Sequence, residues 1–142
     1  MSEINLTRTY RYPAHALWEQ LTVPELFSAW CLPTTDLVLE KGRDFTQRTE
    51  PNRFWDGVFE CTVEDFAVDE YLRYRSRNAG MGLDSVIEWT IRPAGDDSTA
   101  LQLRHSGFAG LKGTFHRMIL TTGWKQMLDK QLPQSLASAG SR

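Results

Sequence analysis

The sequence predicts an α+β fold in which a curved antiparallel sheet wraps around one long C-terminal helix. Through the middle of the chain, apolar and polar residues alternate in short runs, which is typical of strands with one covered and one wet face. In the last third, apolar residues recur every four positions, which indicates a long amphipathic helix. Only that helix is long enough to cover the sheet, and we expect a cavity where the two surfaces do not match.

The length and composition are those of one globular domain spanning residues 1–142. Hydrophobic residues make up 41% and charged residues 24%, so a sizeable core can form without a disulfide or a metal. The formal net charge of −2 gives no attraction to nucleic acid. Arg73, Arg75 and Arg77 alternate along one strand, and we interpret them as a solvated sheet surface balanced by cross-strand glutamates.

The sequence predicts a cytoplasmic protein without a membrane partner. The first residues lack the basic and apolar regions of a secretory signal, and no apolar run approaches the ~20 residues that span a bilayer. Cys31 and Cys61 lie far apart and have no CxxC partner. We therefore interpret them as two buried thiols in a reducing compartment.

The N-terminal part predicts one strand followed by two short helices. Residues 4–12 alternate as a strand, and Pro13 ends that strand while suiting the first turn of a helix. A short helix follows over residues 15–21. A second helix begins at Pro24, and Pro33 closes the segment. Together the two helices are expected to form a V-shaped lid.

Alternation predicts a further run of strands after the helices. Turn residues such as Pro51, and Pro93 with Gly95, separate these strands. The predicted strands span residues 36–40, 44–50, 55–66, 70–78, 84–92 and 99–106.

The predicted C-terminal helix spans residues 111–136 and measures roughly 36 Å. Arg117 and other charged residues fall mostly on the face away from the sheet, and Lys125 is spaced to pair with Asp129 across one turn. Residues 137–142 are expected to fray. The apolar stripe that we expect to face the sheet consists of Leu120, Trp124, Met127, Leu128 and Leu132.

The expected cavity supplies a candidate site for a small apolar or aromatic ligand. Its wall would be mostly aromatic, with a few polar side chains that converge on the ligand, as in many small-molecule sites. The alternative is that the aromatic rings meet and leave no room. The candidate ligand-binding residues are Phe45, Gln47, Phe59, Cys61, Tyr74, Ser76, Trp89, His105, Trp124 and Leu128.

Two titratable side chains on the covered face each have two interpretations. His105 could be a cavity acid/base or ligand donor, since histidine titrates near neutrality. It could equally be a core histidine that bonds to the backbone or to a neighbouring hydroxyl. Arg8 could fix a ligand carboxylate, or it could pair with a carboxylate at the sheet edge, because a bare buried charge is too costly to keep.

The sequence assigns no catalytic residue, no metal site and no cofactor. The histidines have no HxH or HExxH spacing, and the isolated cysteines offer no zinc motif. Gly107, Gly110 and Gly113 are spaced every three residues before a helix and do not match a GxGxxG phosphate loop. We expect these glycines to form a flexible hinge that gates the cavity.

Several short segments, in their order along the chain, resemble one known family. They are residues 16–25 with Trp30, Gly42 with Phe45, residues 57–61, residues 105–108, and Gly123-Trp124 followed by Leu128 and Leu132. On these segments the chain resembles the activator of heat-shock protein 90 ATPase homologue family, in the START/Bet v 1-like (SRPBCC) superfamily. The resemblance covers nearly the whole chain and implies a helix-grip fold.

The resemblance implies an apolar cavity and no shared catalytic motif. The family's eukaryotic co-chaperone members stimulate a chaperone ATPase, and the wider superfamily includes lipid carriers and aromatase/cyclases, so the fold alone does not choose a function. Three hypotheses follow: a binding protein for a small apolar or aromatic ligand, a cyclase- or hydrolase-type enzyme with His105 as acid/base, and a chaperone-cofactor-like interaction module. A homodimer and a chaperone partner are both left open.

Overall fold

A computed structural model of the protein describes residues 3–51, 56–80 and 82–140, with all their side chains except that of Leu111. Within this part of the chain the strands are β1 (Ile4–Tyr10), β2 (Asp44–Arg48), β3 (Val58–Ala67), β4 (Tyr71–Asn78), β5 (Leu83–Pro93) and β6 (Thr99–Ser106). They form one antiparallel sheet in the order β1-β6-β5-β4-β3-β2.

One face of the sheet is buried and carries the core. In β4, every second residue from Leu72 to Asn78 is buried, because successive side chains of a strand point to opposite faces. Neighbouring strands are in register with this pattern, so Trp89 of β5 lies directly opposite Leu72 on one side and Leu103 on the other. The apolar positions predicted from alternation therefore meet on one surface.

Two short helices, α1 (Ala14–Thr22) and α2 (Pro24–Trp30), follow β1 as predicted. Pro24 begins α2 because its fixed φ suits the first helical turn and its missing N–H costs nothing there. Trp30, at the end of α2, donates from Nε1 to the carbonyl oxygen of Gln20 at 2.8 Å. This bond ties the end of α2 back to α1.

The long C-terminal helix is built from α3 (Gly110–Gln126), a π-helical turn (Met127–Gln131) and α4 (Leu132–Gly140). Its predicted apolar stripe faces inward. Leu128 and Leu132 are almost completely buried, and Leu120 packs against the core as a partly buried residue. An antiparallel sheet therefore grips a long helix, and the predicted α+β helix-grip fold is confirmed.

Pro133 explains the π-helical turn. Proline has no N–H, so it cannot donate to the carbonyl one turn earlier, and its ring clashes with that carbonyl. The helix relaxes by letting the Leu132 N–H donate to the Met127 carbonyl oxygen, five residues back. The Leu128 carbonyl oxygen is then available to the buried Tyr10 hydroxyl, which donates to it at 2.7 Å. The predicted long helix is therefore continuous, with one turn of π-helical geometry inside it.

Residues 36–40 do not form the predicted strand. The Asp36 carboxylate accepts from the Thr46 backbone N–H at 2.9 Å and from the Thr46 hydroxyl at 3.1 Å. A side chain therefore occupies an edge position of β2 where another strand would pair. The sheet ends at β2 because its edge is covered by this side chain rather than by a backbone ladder.

The C-terminal end also differs from the prediction, since residues 137–140 are helical. The preceding turn of α4 is anchored, because the Ser135 hydroxyl donates to the Gln20 side-chain oxygen at 2.7 Å. Residues 141–142 lie outside the described residues. Asp129 pairs with Arg8 of β1 at 2.6 Å instead of forming the predicted ion pair with Lys125.

Some predicted bounds were too wide. β1 ends at Tyr10 rather than at residue 12, and β2 ends at Arg48 rather than at residue 50. The predicted start of β3, Trp55, lies outside the described residues, and the strand begins at Val58. No helix in the described ranges is both long and apolar enough to cross a bilayer.

The outer face of the sheet carries part of the predicted balance between arginines and glutamates. Arg73 pairs with Glu64 at 2.9 Å, and Arg75 pairs with Asp84 at 2.8 Å. Arg77 instead donates to the Thr62 hydroxyl at 3.0 Å. These are partly exposed groups, so the arrangement is that of a solvated sheet surface.

Candidate functional site

A pocket of about 170 Å³ lies between the inner face of the sheet and α3. The sheet supplies its floor, α3 supplies its roof, and the segment after α2 closes one side. Among the described residues, none of the lining side chains is an aspartate, a glutamate, a lysine or an arginine. The pocket is lined by Cys31, Leu32, Gln47, Thr49, Phe59, Ser76, Ile87, His105, Leu120, Gly123, Trp124 and Met127.

The pocket is smaller than the ~300–1,000 Å³ of typical ligand sites because aromatic rings fill much of the interior. Trp89 is fully buried between two other tryptophans. Its ring centroid lies 5.7 Å from that of Trp30 and 5.4 Å from that of Trp124, both in edge-to-face geometry. Phe45 and Tyr74 form a similar pair at 5.3 Å. These contacts are favourable for aromatic rings, and the rings occupy interior space that a ligand would otherwise take.

His105 lies in a chain of hydrogen bonds that uses both ring nitrogens. The Trp124 Nε1–H group, which can only donate, lies 3.1 Å from His105 Nδ1. Nδ1 is therefore the acceptor, and the proton sits on Nε2, which donates to the Ser85 hydroxyl at 2.8 Å. Ser85 in turn donates to the Ser76 carbonyl oxygen at 3.2 Å. Every polar atom of the ring has a partner.

Burial lowers the pKa of His105 from its ordinary value of 6.5 to about 3. The charged imidazolium would have to leave water, and no carboxylate is placed to stabilise it. A neutral ring with both nitrogens bonded fits the interpretation of a core histidine bonded to a neighbouring hydroxyl. The same ring still forms part of the pocket wall.

Gln47 is the main amide at the pocket and is 2% exposed. Its side-chain nitrogen donates to the Thr34 hydroxyl at 3.2 Å and points to Cys31 Sγ at 3.9 Å. These contacts hold the amide plane in one orientation. Burial raises the pKa of the Cys31 thiol to about 12, so this group lines the pocket as a neutral thiol.

Half of the predicted ligand-binding residues line the pocket and half lie behind its wall. Gln47, Phe59, Ser76, His105 and Trp124 are in the lining. The others are buried in the core and are not in the lining; they are Phe45, Cys61, Tyr74, Trp89 and Leu128. Whether any of these residues binds a ligand remains a prediction.

Several lining residues were absent from the predicted set. Leu120 and Met127 belong to the apolar stripe of the C-terminal helix, so that stripe was the signal for them. Gly123 could have been found as a glycine inside a helix, where glycine is unfavourable unless it leaves space. Cys31 and Leu32 follow α2 in an irregular segment, and no sequence periodicity points to them.

Arg8 has a partner within the protein. Its guanidinium donates to Asp129 through Nε at 2.6 Å, and Nη2 lies 3.4 Å from the second carboxylate oxygen. The interaction raises the pKa of Arg8, first through this hydrogen bond. This geometry matches the interpretation of Arg8 as one member of a structural ion pair. The carboxylate is that of Asp129 in the C-terminal helix.

Gly107, which precedes α3, and Gly113, which lies in the first turns of α3, permit close packing of the backbone. Gly107 has a φ of +106°, and a Cβ there would lie 2.8 Å from the Asp84 carbonyl oxygen. A Cβ at Gly113 would lie 2.8 Å from the Phe108 carbonyl carbon. Both positions therefore require glycine for steric reasons. The predicted gating of the cavity by these residues remains a prediction.

Among the residues that the structure describes, no group of three or more His, Cys, Asp or Glu side chains converges to hold a metal ion. A sheet that grips a long helix over a mostly apolar pocket defines the class of helix-grip domains. A sequence profile described as "Activator of Hsp90 ATPase homolog 1-like protein" matches residues 11–137. The chain belongs to this family.

Solved structures share the fold. Protein MLL2253 from Mesorhizobium loti is 26% identical, with 96% of this chain and 97% of that chain covered and a TM-score of 0.85. The Aha1 dimer from Colwellia psychrerythraea is 14% identical, with 90% and 91% covered and a TM-score of 0.70. DynU16, from the dynemicin biosynthetic locus, is 20% identical, with 94% of this chain and 46% of that chain covered and a TM-score of 0.74. A search of curated proteins found no match.

Proposed function

We propose that this protein binds a small apolar or aromatic ligand in the pocket between the sheet and α3. The observation that carries the proposal is the lining: aromatic and aliphatic side chains surround a space with a few fixed polar groups, and the described part of the chain adds no charged side chain to it. Such a combination favours an uncharged, apolar ligand portion and orients it through hydrogen bonds. The proposal places the protein in the cytoplasm, where its free cysteines stay reduced.

The volume limits the size of the ligand portion that the pocket accepts. An apolar cavity of roughly 150 Å³ in another protein holds a benzene ring. The pocket here measures about 170 Å³, which matches the size of one aromatic ring. Phenol and toluene are therefore suitable probes, with phenol adding a hydroxyl for the polar groups around Gln47.

Gly123 gives a direct test of this pocket. It lies in α3, lines the pocket, and a Cβ built on it meets no atom within 4 Å. We expect Gly123→Leu to fill the pocket and to weaken toluene binding at least about tenfold, while leucine favours the helix more than glycine does. Chemical-shift titration of the folded protein measures the affinity.

The matched control is Thr122→Leu, which adds a leucine at the neighbouring exposed position of α3. This variant should bind toluene as the wild type does. If Gly123→Leu and the wild type bind equally, or if neither phenol nor toluene binds the wild type, the ligand does not occupy this pocket and the proposal fails.

The enzyme hypothesis gains no support from the geometry. General acid/base catalysis by His105 needs a nitrogen within reach of the substrate proton and a pKa near neutrality. Both nitrogens are bonded within the protein, and burial lowers the pKa to about 3.

A second candidate, an interaction module, is favoured by one surface. Phe115, Met118 and Ile119 are 61%, 61% and 56% exposed, and their spacing places them together on the outer side of α3. An exposed cluster of large apolar side chains often marks a contact with another protein. We propose a chaperone or a second copy of this chain as the partner for this apolar face of α3.

A further inference from the structure

The floor of the pocket takes a side chain from each of five neighbouring strands, and Gln47 of β2 lies at one end of it. The others are Phe59 of β3, Ser76 of β4, Ile87 of β5 and His105 of β6. Phe59 lies directly opposite Gln47 in the ladder between β2 and β3. His105, at the other end, already uses both ring nitrogens within the protein. A polar contact for a ligand is therefore expected toward the β2 end.

Two hydrogen bonds fix the orientation of the Gln47 amide. The Thr34 hydroxyl donates its one proton to the Leu32 carbonyl oxygen at 2.6 Å. This hydroxyl can therefore only accept from Gln47, and it does so from Nε2 at 3.2 Å. Turning the amide end for end would place its oxygen against another acceptor. Nε2 thus faces Thr34 and Cys31, and Oε1 is directed away from them.

Gln47 Oε1 is an acceptor to which the protein supplies no donor. In the described ranges, no group forms a hydrogen bond with it. It is not sealed in the core either, because the one side-chain nitrogen or oxygen of this part of the chain that is both enclosed and unpartnered is Arg117 Nε. Gln47 is 2% exposed and lines the pocket, so the accessible surface of Oε1 belongs to the pocket. A bound molecule can therefore donate to this oxygen.

We propose that Gln47 Oε1 accepts a hydrogen bond from the ligand, so that the pocket selects an aromatic ring that carries a hydroxyl or an N–H group. The inference rests on the proposed function and specifies its ligand class as phenols and arylamines. A carboxylate on the ring would bring a second acceptor against Oε1, and the described lining has no cation to hold it. An entirely apolar ring would leave the amide oxygen buried without a donor.

Phenol and toluene have nearly the same shape and differ in one hydroxyl group, so they isolate this contact. Phenol costs more to remove from water, so each probe is compared between protein variants rather than with the other probe. Gln47→Met keeps an unbranched side chain of similar length and removes the acceptor. We expect it to weaken phenol binding about tenfold, because the phenol hydroxyl is then buried without its partner, and to change toluene binding less than about twofold. Chemical-shift titration measures both affinities.

The control variant is Gln102→Met, which makes the same substitution on β6 at a side chain that donates to Asn5 at 3.0 Å and does not line the pocket. It should bind both probes as the wild type does. A second measurement needs no variant. In the wild type, phenol should move the resonance of the Gln47 side-chain carbonyl carbon further downfield than toluene does, because only phenol donates to its oxygen.

Two failures are distinguishable. The inference about Gln47 is wrong, and the pocket proposal stands, if Gln47→Met changes the phenol and toluene affinities by the same factor. The same conclusion follows if both probes move the Gln47 carbonyl resonance equally, or if the wild type binds toluene and not phenol. If the wild type binds neither probe, the proposed function fails together with the inference.

Discussion

At the scale of single residues, His105 shows how neighbours decide the chemistry of a side chain. From the sequence, His105 could be an acid/base that titrates near neutrality or a core histidine bonded to a neighbouring group. Trp124 and Ser85 instead hold the ring as a neutral tautomer, and burial lowers its pKa to about 3. The side chain therefore contributes shape and hydrogen bonds to the pocket wall rather than a mobile proton.

This environment predicts how stability depends on pH. Unfolded His105 takes up a proton near pH 6.5, whereas the folded protein does so only near a pKa of about 3. Acid therefore favours the unfolded state: the contribution of His105 is complete above pH 6.5 and is lost as the pH falls toward 3. We expect a loss of about 1.4 kcal/mol per pH unit below 6. Urea unfolding at pH 7, 6, 5 and 4 measures it.

Two variants isolate this dependence. His105→Gln should have a shallower slope than the wild type by that amount, whatever its stability at pH 7. The Asp69 carboxylate beside the exposed His15 raises the pKa of His15, so that contribution has the opposite sign and is lost as the pH rises. His15→Gln should therefore not flatten the acid limb, and equal slopes for wild type and His105→Gln would contradict the assignment.

At the scale of elements, the π-helical turn joins the C-terminal helix to the edge strand β1. Pro133 has no N–H to donate to the Asp129 carbonyl, and the Leu132 N–H donates to the Met127 carbonyl oxygen. The Leu128 carbonyl oxygen accepts from the Tyr10 hydroxyl. One residue later, Asp129 pairs with Arg8. A buried neutral hydrogen bond and an exposed ion pair thus connect the same two elements.

The buried bond should matter more than the ion pair. We expect Tyr10→Phe to lower the free energy of unfolding by about 1–3 kcal/mol, because it leaves the Leu128 carbonyl oxygen buried without its donor. Asp129→Asn removes a pair whose side chains are 30% and 50% exposed, so water screens the loss. Urea denaturation compares the two, and a larger effect of Asp129→Asn would reverse this ranking.

At the scale of the whole molecule, two surfaces of α3 have different roles. Its inner side forms the roof of the pocket, while Phe115, Met118 and Ile119 face solvent. The α4 segment is held by α1 through the bond between Ser135 and Gln20. The fold therefore presents an apolar face on α3 that no other described element covers.

This apolar face predicts a concentration-dependent association. If a second copy covers it, light scattering should give a dimer mass that returns to the monomer mass in Phe115→Gln/Met118→Gln. The control is Val68→Gln, which removes an exposed apolar side chain elsewhere on the surface, at 59% exposure. If the partner is a chaperone, the double variant should instead lose stimulation of a purified Hsp90-type ATPase. A wild-type monomer without such stimulation would exclude both partners.

Much of the fold was predictable because it depends on local periodicity. The alternation of apolar and polar residues in β4 and β6 predicted which side chains of these strands are buried. Pro24 predicted the start of α2. Residues 36–40 were mistaken for a strand, because alternation cannot reveal that the Asp36 side chain occupies the sheet edge. Pro133 was a local signal for the π-helical turn. The bond from the Tyr10 hydroxyl to the Leu128 carbonyl oxygen had no such signal, because the two residues lie 118 positions apart in the chain.

The sequence by itself determined the α+β class, the family resemblance and the inward side of each strand and helix, because these follow from residue spacing along a regular backbone. The tertiary structure alone decided which inward residues meet the pocket and which are covered, since that depends on how rings such as Trp30, Trp89 and Trp124 pack across elements. It also gave Arg8 its partner, Asp129. Pairing and desolvation depend on distances between distant segments, which no periodicity encodes.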